Sequence, residues 1–372
     1  MNEQDVRDAL RGVRDPEIGK PIEDLGMLER IHVDGDTVRV DVLLTIEGCP
    51  LRDRITQDVT AAVQPLSGVE RVEVSLTPMS AEQREALVGQ LRGGQPAGQT
   101  AGQTAAARIS FPPATSLIAI ASGKGGVGKS SVTVNLAAAL AADGAAVGVL
   151  DADVWGFSVP RMLGVSGKPV GFNDMILPLE AHGVKVISMG FFVPEETPVI
   201  WRGPMLHKAI EQFLGDVYWG ELDFLLCDLP PGTGDVSISL ASFIPGASML
   251  VVTTPQEAAR KVAERAGKMA ERTNLRPIGV LENMSWFVCP HCGEREELFG
   301  SGGGHEAAAT LGVPLIAQVP LIPAVREGGD GGVPIVVADP RSPASEAFLE
   351  AAKAVRQATK TRVGKPLSLT AR

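Results

Sequence analysis

Gly123-Lys124-Gly125-Gly126-Val127-Gly128-Lys129-Ser130 is the stretch on which the fold turns. It satisfies the phosphate-loop pattern of Gly, four residues, then Gly-Lys-Ser, and it carries a second lysine, Lys124, near its start. Both flanks agree with that pattern. Residues 117–121, Leu-Ile-Ala-Ile-Ala, are a short apolar run that reads as a buried strand. Residues 132–142 are rich in alanine and leucine and read as a helix. Strand, glycine loop and helix together build an anion site. Successive loop N–H groups form a nest, and the helix N-terminus adds partial positive charge. Lys129 is then placed for the β/γ-phosphates of a nucleotide and Ser130 for Mg²⁺.

Outward from the loop, short apolar runs recur at 147–150, 184–187, 224–227, 249–252, 278–281 and 315–317. Helical stretches lie between most of them, such as 257–272, and 342–361 reads as a closing helix. This alternation predicts an α/β fold, a mostly parallel sheet with helices on both faces. Asp151 and Asp153 follow the 147–150 run, where ligands bind in open α/β sheets. Asp228 ends the Phe224-Leu225-Leu226-Cys227 run. That is the Walker B arrangement, which places a carboxylate to help hold Mg²⁺. The loop Pro230-Pro231-Gly232-Thr233-Gly234-Asp235 is suited to act as a switch beside a γ-phosphate. Asp153 either positions the attacking water or caps a loop. The phosphate loop contains no arginine to serve as a finger, and Lys124 is the candidate for that electrostatic role.

The chain of 372 residues is long enough for more than one domain. Residues 1–90 read as a small α/β unit. Val6, Leu10 and Val13 recur at helical spacing, as do Ile55, Val59 and Val63. Val38, Val40 and Val42 alternate along one strand, and Val72, Val74 and Leu76 along another. Residues 91–112 have no apolar period and repeat Ala-Gly-Gln-Thr, as a flexible linker does. Residues 113–360 form the phosphate-loop domain, and 361–372 read as a loose tail. The net charge of −10, with no basic tract, argues against nucleic acid as the main partner. No apolar run is long enough to span a bilayer. The acidic, polar start Met1-Asn2-Glu3-Gln4-Asp5 is not a secretory signal. Four cysteines in a chain of this length make no disulfide framework, so a cytoplasmic location is expected.

Cys289-Pro290-His291-Cys292 is the second constellation. A Cys-x-x-Cys pair supplies two thiolates, whereas a closed metal or cluster site takes four ligands. Cys227 ends an apolar strand and reads as a packing residue. His291 and His305 are isolated candidates. Two chains related by a two-fold axis would supply four thiolates. A bridging iron–sulfur cluster and a bridging zinc ion both satisfy these residues. A redox dithiol is the weaker reading, because no thioredoxin-like unit precedes the pair. Cys49, in Glu47-Gly48-Cys49-Pro50, lies at a strand-to-helix turn, where a thiol is biased toward thiolate or simply packs.

Taken together these motifs resemble a known family. The loop with its Lys124 is similar to the deviant Walker A motif of the MinD/ParA class of P-loop ATPases. Asp151-Ala152-Asp153, Trp201-Arg202-Gly203-Pro204, Cys227 to Asp235, Glu282-Asn283-Met284-Ser285, Cys289 to Cys292 and Phe299 to Gly304 narrow it. They resemble the Mrp/ApbC iron–sulfur cluster carriers over nearly all of residues 113–350. Asp15-Pro16-Glu17, Asp24-Leu25-Gly26-Met27 and Cys49-Pro50-Leu51 resemble the small iron–sulfur assembly domain often fused ahead of them. Cys227 departs from the pattern, where an aliphatic residue is usual, and Arg260-Lys261 is more basic than the pattern.

The resemblance implies an ATPase that carries a labile 4Fe-4S cluster to apo-proteins. Gly123, Lys124, Gly125, Gly126, Val127, Gly128, Lys129 and Ser130 would bind ATP, and Asn283 would contact the adenine. Ser130 and Asp228 would organise Mg²⁺, and Asp153 would lie near the attacking water. Lys124 would reach the nucleotide of the partner in a homodimer, and Cys289 and Cys292 of two subunits would bridge the cluster. Cluster donors and apo-proteins would be the partners, with no nucleic acid and no membrane. Two other readings remain: a MinD/ParA-like spatial-organising ATPase, which the broken 361–366 segment and the unexplained cysteines disfavour, and a zinc-bridged dimeric ATPase.

Overall fold

The computed structural model describes residues 2–16, 18–45, 52–91, 109, 111–153, 156–172, 175–192, 203–232, 235–256, 259–289 and 291–359. Cys49, almost all of the expected linker, Trp201-Arg202, Thr233-Gly234 and the expected tail lie outside the described residues. The chain divides into two units, and each is described by itself.

The smaller unit comprises Met1–Thr104, Val170–Leu177 and Asp216–Gly220. Helix α1 (Glu3–Leu10) begins with a capping box: the Asn2 side chain accepts from the Asp5 N–H, and the Asp5 side chain accepts from the Asn2 N–H. Strands β1 (Leu28–Asp34) and β2 (Thr37–Leu44) pair antiparallel, α2 spans Arg52–Val63, and β3 (Arg71–Pro78) adds parallel to β2. Helix α3 spans Ala81–Leu91. The alternation of Val38, Val40 and Val42 puts all three in the core. They lie with Val6 and Leu10 of α1 and Ile55, Val59 and Val63 of α2. Met175, Leu177 and Tyr218 also belong to this core, which a division at a single linker does not anticipate. Three-residue strands are too short for periodicity to reveal.

The larger unit is a nine-stranded, mostly parallel sheet. In chain order it runs β4 (Ser116–Ser122), α4 (Lys129–Ala142), β5 (Val147–Asp151) and α5 (Val159–Met162). The hairpin β6 (Val170–Phe172) and β7 (Met175–Leu177) groups with the smaller unit. Then come β8 (Leu179–Ala181), β9 (Val184–Ser188), α6 (Gly203–Gly215), β10 (Phe224–Asp228), α7 (Asp235–Phe243), β11 (Ser248–Thr253) and α8 (Ala259–Thr273). Next are β12 (Arg276–Val288), β13 (Arg295–Glu296), α9 (Gly303–Leu311), β14 (Leu315–Leu321), α10 (Pro323–Gly331), α11 (Ile335–Ala338) and α12 (Pro343–Thr359). The strand order is β13-β12-β11-β4-β10-β5-β9-β8, with β14 also on β12. Only the edge strands β8 and β13 run antiparallel. Among the described residues no helix is long and apolar enough to cross a membrane.

Two features of this sheet position the site. First, β4 lies between β10 and β11, so the chain leaving β4 through α4 must pass over β10 to reach β5. That gap is a switch point, where open α/β sheets bind ligands. Parallel register brings Asp228 beside Asp151, and Asp151 beside Ser188, at the C-terminal ends of their strands. Second, β12 runs far past the apolar segment expected at 278–281. Its extension carries the buried polar residues Glu282, Asn283 and Ser285, which hide a strand from a hydrophobicity reading.

Candidate nucleotide and thiolate sites

The phosphate loop leaves β4 at Ser122 and enters α4 through Gly128. Gly128 holds φ 77°, a left-handed geometry favourable for glycine. A Cβ there would also crowd Asn283 Nδ2, which its bond to the Val127 carbonyl holds in place. Lys129 opens α4 and is almost wholly buried. Its ammonium lies 2.7 Å from Asp228 Oδ1, with side-chain exposures of 6% and 0%. The Ser130 hydroxyl donates to Asp228 Oδ2 at 2.5 Å. Thr133, one turn on, donates to Asp228 Oδ1 at 2.7 Å. Asp228 is thus a buried carboxylate satisfied by one cation and two hydroxyls. This meets the rule that buried charge must be paired and hydrogen-bonded.

Asp151 sits deeper. Burial, and then the neighbouring Asp228 charge, push its carboxyl up to about 8. The Ser188 hydroxyl, at 3.0 Å from Oδ2, and the Asp153 N–H, at 3.2 Å from Oδ1, pull the other way without offsetting burial. The folded protein therefore holds this proton more tightly than the unfolded chain does. Its contribution is fully present below about pH 4 and is lost as pH rises through about 8. Asp151→Asn keeps the shape and removes the titration. The melting temperature of the variant should rise relative to wild type as pH increases across that window. A difference that stays constant with pH would refute the assignment.

A cavity of about 210 Å³ is lined by the loop from Lys124 to Ser130, with Asp153, Ser158, Met162 and Pro231. Asp153 is buried and faces this cavity. Lys124 donates to Gln256 Oε1 of its own chain. Asn283, rather than standing free for a base, donates from Nδ2 to the Val127 carbonyl at 2.9 Å. Arg265 of α8 donates to the Gly123 carbonyl at 3.2 Å. A larger cleft of about 820 Å³ opens at the other end of the sheet, beside Ser116, Ser248 and Arg276. It lies at the N-terminal strand ends and lacks a glycine loop, so the smaller cavity is the nucleotide candidate. Sequence reading missed Thr133, Ser188, Gln256 and Arg265. Thr133, one turn after Lys129 on the same helix face, was the one with a readable signal.

Beyond Asn283, β12 continues into a hairpin with β13, pairing Phe287 with Glu296 and Val288 with Arg295. The turn holds the cysteines. The Cys289 N–H donates to the Glu294 carbonyl at 2.9 Å, and the Gly293 N–H to the Cys289 carbonyl at 2.8 Å. Gly293, at φ 72°, permits the reversal. Cys289 is half-buried and Cys292 exposed. The backbone N–H of Cys292, then that of His291, and then the Cys292 thiol hold the Cys289 thiol below its usual range. Thiolate is the form that binds metal. Among the described residues no group of three or more His, Cys, Asp or Glu is arranged to hold a metal ion, so neither His291 nor His305 completes a ligand set with the pair. Two soft donors fit half of a four-thiolate site. Cys227 is inert by contrast: burial pushes its thiol up to about 12.

Known proteins match this arrangement at both ends. Residues 114–356 match the family described as NUBPL iron-transfer P-loop NTPase, and residues 3–76 the one described as iron-sulfur cluster assembly protein. An iron-sulfur cluster carrier protein of Mycobacterium tuberculosis is 51% identical over 346 residues, covering 91% of this chain and 88% of the relative. That of Synechocystis is 44% identical over 360 residues, covering 94% and 96%. Among solved structures, a nucleotide-binding protein from Archaeoglobus fulgidus in complex with ADP is similar at 38% identity and a TM-score of 0.55. The match covers 63% of this chain and 93% of that one. With the phosphate loop, its buried aspartate and the two-thiol turn in one unit, the chain belongs to the NUBPL-type iron-transfer P-loop NTPases, the family of the iron–sulfur cluster carrier proteins.

Proposed function

We propose that this protein binds and hydrolyses ATP and carries a labile 4Fe-4S cluster, held between Cys289 and Cys292 of two copies, to apo-proteins. The observation that carries the reading is the turn itself: two thiols, one biased to thiolate, on an exposed hairpin with no third ligand among the described residues. A two-fold axis closes such a half-site into four thiolates. The exposure of Cys292 suits a cargo that must leave, whereas a structural zinc site is closed.

At the loop, the amides and Lys129 receive the β- and γ-phosphates. Lys129 exchanges Asp228 for phosphate oxygens, which leaves the Ser130 hydroxyl and the Asp228 carboxylate as the groups that would hold a divalent cation. Mg²⁺ fits that oxygen donor set and would neutralise charge on the β/γ-phosphates. Asp153 orients a water toward the γ-phosphorus as the bond to the bridging oxygen breaks. Lys124 leaves Gln256 to stabilise the nucleotide of the second copy. Asn283 keeps its Nδ2 bond to the Val127 carbonyl and offers Oδ1 to the base.

Metal analysis of anaerobically purified protein tests this directly. About four irons and four acid-labile sulfides per two chains are expected. Stoichiometric zinc without sulfide would overturn the cluster reading.

A further inference from the structure

The phosphate loop and the cysteine turn are joined by one strand. Asn283 of β12 donates to the Val127 carbonyl of the loop. The next residue, Met284, also abuts the loop: its Cε lies 3.5 Å from where a Gly128 Cβ would be. Six positions after Asn283, the same strand ends and Cys289 begins the turn, at most ~20 Å away along an extended chain.

Between these two points the strand is irregular. Met284 holds φ 57°, a left-handed geometry that L side chains rarely adopt. The ladder with β14 slips there: Asn283 faces Val319 but Phe287 faces Leu321, so four steps along β12 oppose two along β14. This is a bulge that re-aims the strand just before the hairpin. The residues on either side are clamped. The buried Glu282 carboxylate accepts from the Gly304 N–H and from Gln318, both at 2.6 Å. The Ser285 hydroxyl donates to the Glu282 carbonyl at 3.0 Å. Past the bulge, the pairing of Phe287 and Val288 with β13 holds the cysteine turn to the strand. A clamped, packed segment has discrete arrangements rather than continuous give.

We propose that Asn283, Met284 and this bulge form a lever by which nucleotide at the phosphate loop resets the cysteine turn. Phosphates in the nest shift the Val127–Gly128 backbone, and Asn283 follows its hydrogen bond. The strained bulge transmits the shift to the hairpin, changing the exposure of Cys289 and Cys292. Asn283 acts here as a positioning residue. The inference rests on the preceding reading for what the two ends bind, but its test uses cluster-free protein.

The experiment is residue-resolved alkylation of the full-length, reduced, cluster-free chain, with and without saturating MgADP, with nucleotide binding measured separately. Wild type should show a change of about fivefold or more in the alkylation rate at Cys289, Cys292 or both, the usual scale of coupling between sites. Cys227 should stay unreactive in both states. Asn283→Ala at saturating MgADP should lose that change. Met284→Gly, which relieves the left-handed strain and removes the contact with the loop, should bind MgADP and lose most of it.

Equal rates with and without bound MgADP in wild type would overturn the lever, as would a full response in Asn283→Ala. If Asn283→Ala does not fold, a full response in Met284→Gly overturns it alone. A lever that fails in a protein that still assembles iron and sulfide leaves the carrier reading standing. Iron and sulfide that fail to assemble on a responsive protein leave the lever standing.

Discussion

The Cys289→Ala, Cys292→Ala double variant is expected to hold no labile iron or sulfide after anaerobic reconstitution, while binding nucleotide as the wild type does. The turn is held by backbone bonds from Cys289 to Glu294 and from Gly293 to Cys289, which alanine preserves. Cys292 is exposed and Cys289 half-buried, so the substitutions open no core cavity. Stability should change by no more than about 0.5 kcal/mol. Either single variant leaves one thiolate per chain and two per pair of chains, too few to hold a four-iron cluster, and should fail in the same way. Iron, sulfide and visible absorbance per two chains give the readout. A double variant that still assembles a cluster of wild-type content would remove Cys289 and Cys292 from the site.

Lys129→Ala is expected to lower ATP turnover by at least ~10²-fold, since the lysine is placed to meet charge developing on the transferred phosphoryl group. The structure adds a second consequence. Lys129 is the cation 2.7 Å from the fully buried Asp228. Its removal leaves a buried carboxylate with hydroxyl partners alone, at a cost of about 3–5 kcal/mol. Lys129→Ala should therefore melt well below wild type. The double variant Lys129→Ala, Asp228→Asn removes the stranded charge. It should recover much of that stability and none of the turnover. Calorimetry and a phosphate-release assay separate the two effects. Wild-type turnover in Lys129→Ala would sink the catalytic role of the loop. A double variant no more stable than Lys129→Ala would sink the account of Asp228.

Much of the fold was legible because its signals are local. Apolar runs of four or five residues marked β4, β5, β9, β10 and β11 to within a residue or two at each end. Helix α4 was legible from its alanine-rich stretch, although it starts three residues earlier than expected, where Gly128 ends the loop. Strand β12 was under-read because Glu282, Asn283 and Ser285 are polar yet buried. The partners of Glu282 and Asn283 are Gly304, Gln318 and the phosphate loop, which no window around residue 280 contains.

The candidate site divides along the same line. Lys129, Ser130 and Asp228 were identifiable separately from motifs. What joins them is parallel register between β4, β10 and β5, which sets Asp228 beside Asp151 and within reach of α4. Asn283 was expected at the base through resemblance, and its bond to Val127 across 156 residues of chain left no trace in composition or spacing. Gln256 and Arg265 escaped notice for the same reason: each meets the loop through a contact more than 130 residues away in sequence.

Short-range pattern was therefore enough for the nucleotide loop, the alternating architecture and the cysteine pair, because backbone conformation and ligand spacing are encoded within a few neighbouring residues. Which carboxylate is protonated, which partner holds each lysine, and the single strand that runs from the loop to the thiols all came from folding. Burial and the side-chain contacts it imposes exist only once distant segments share a sheet.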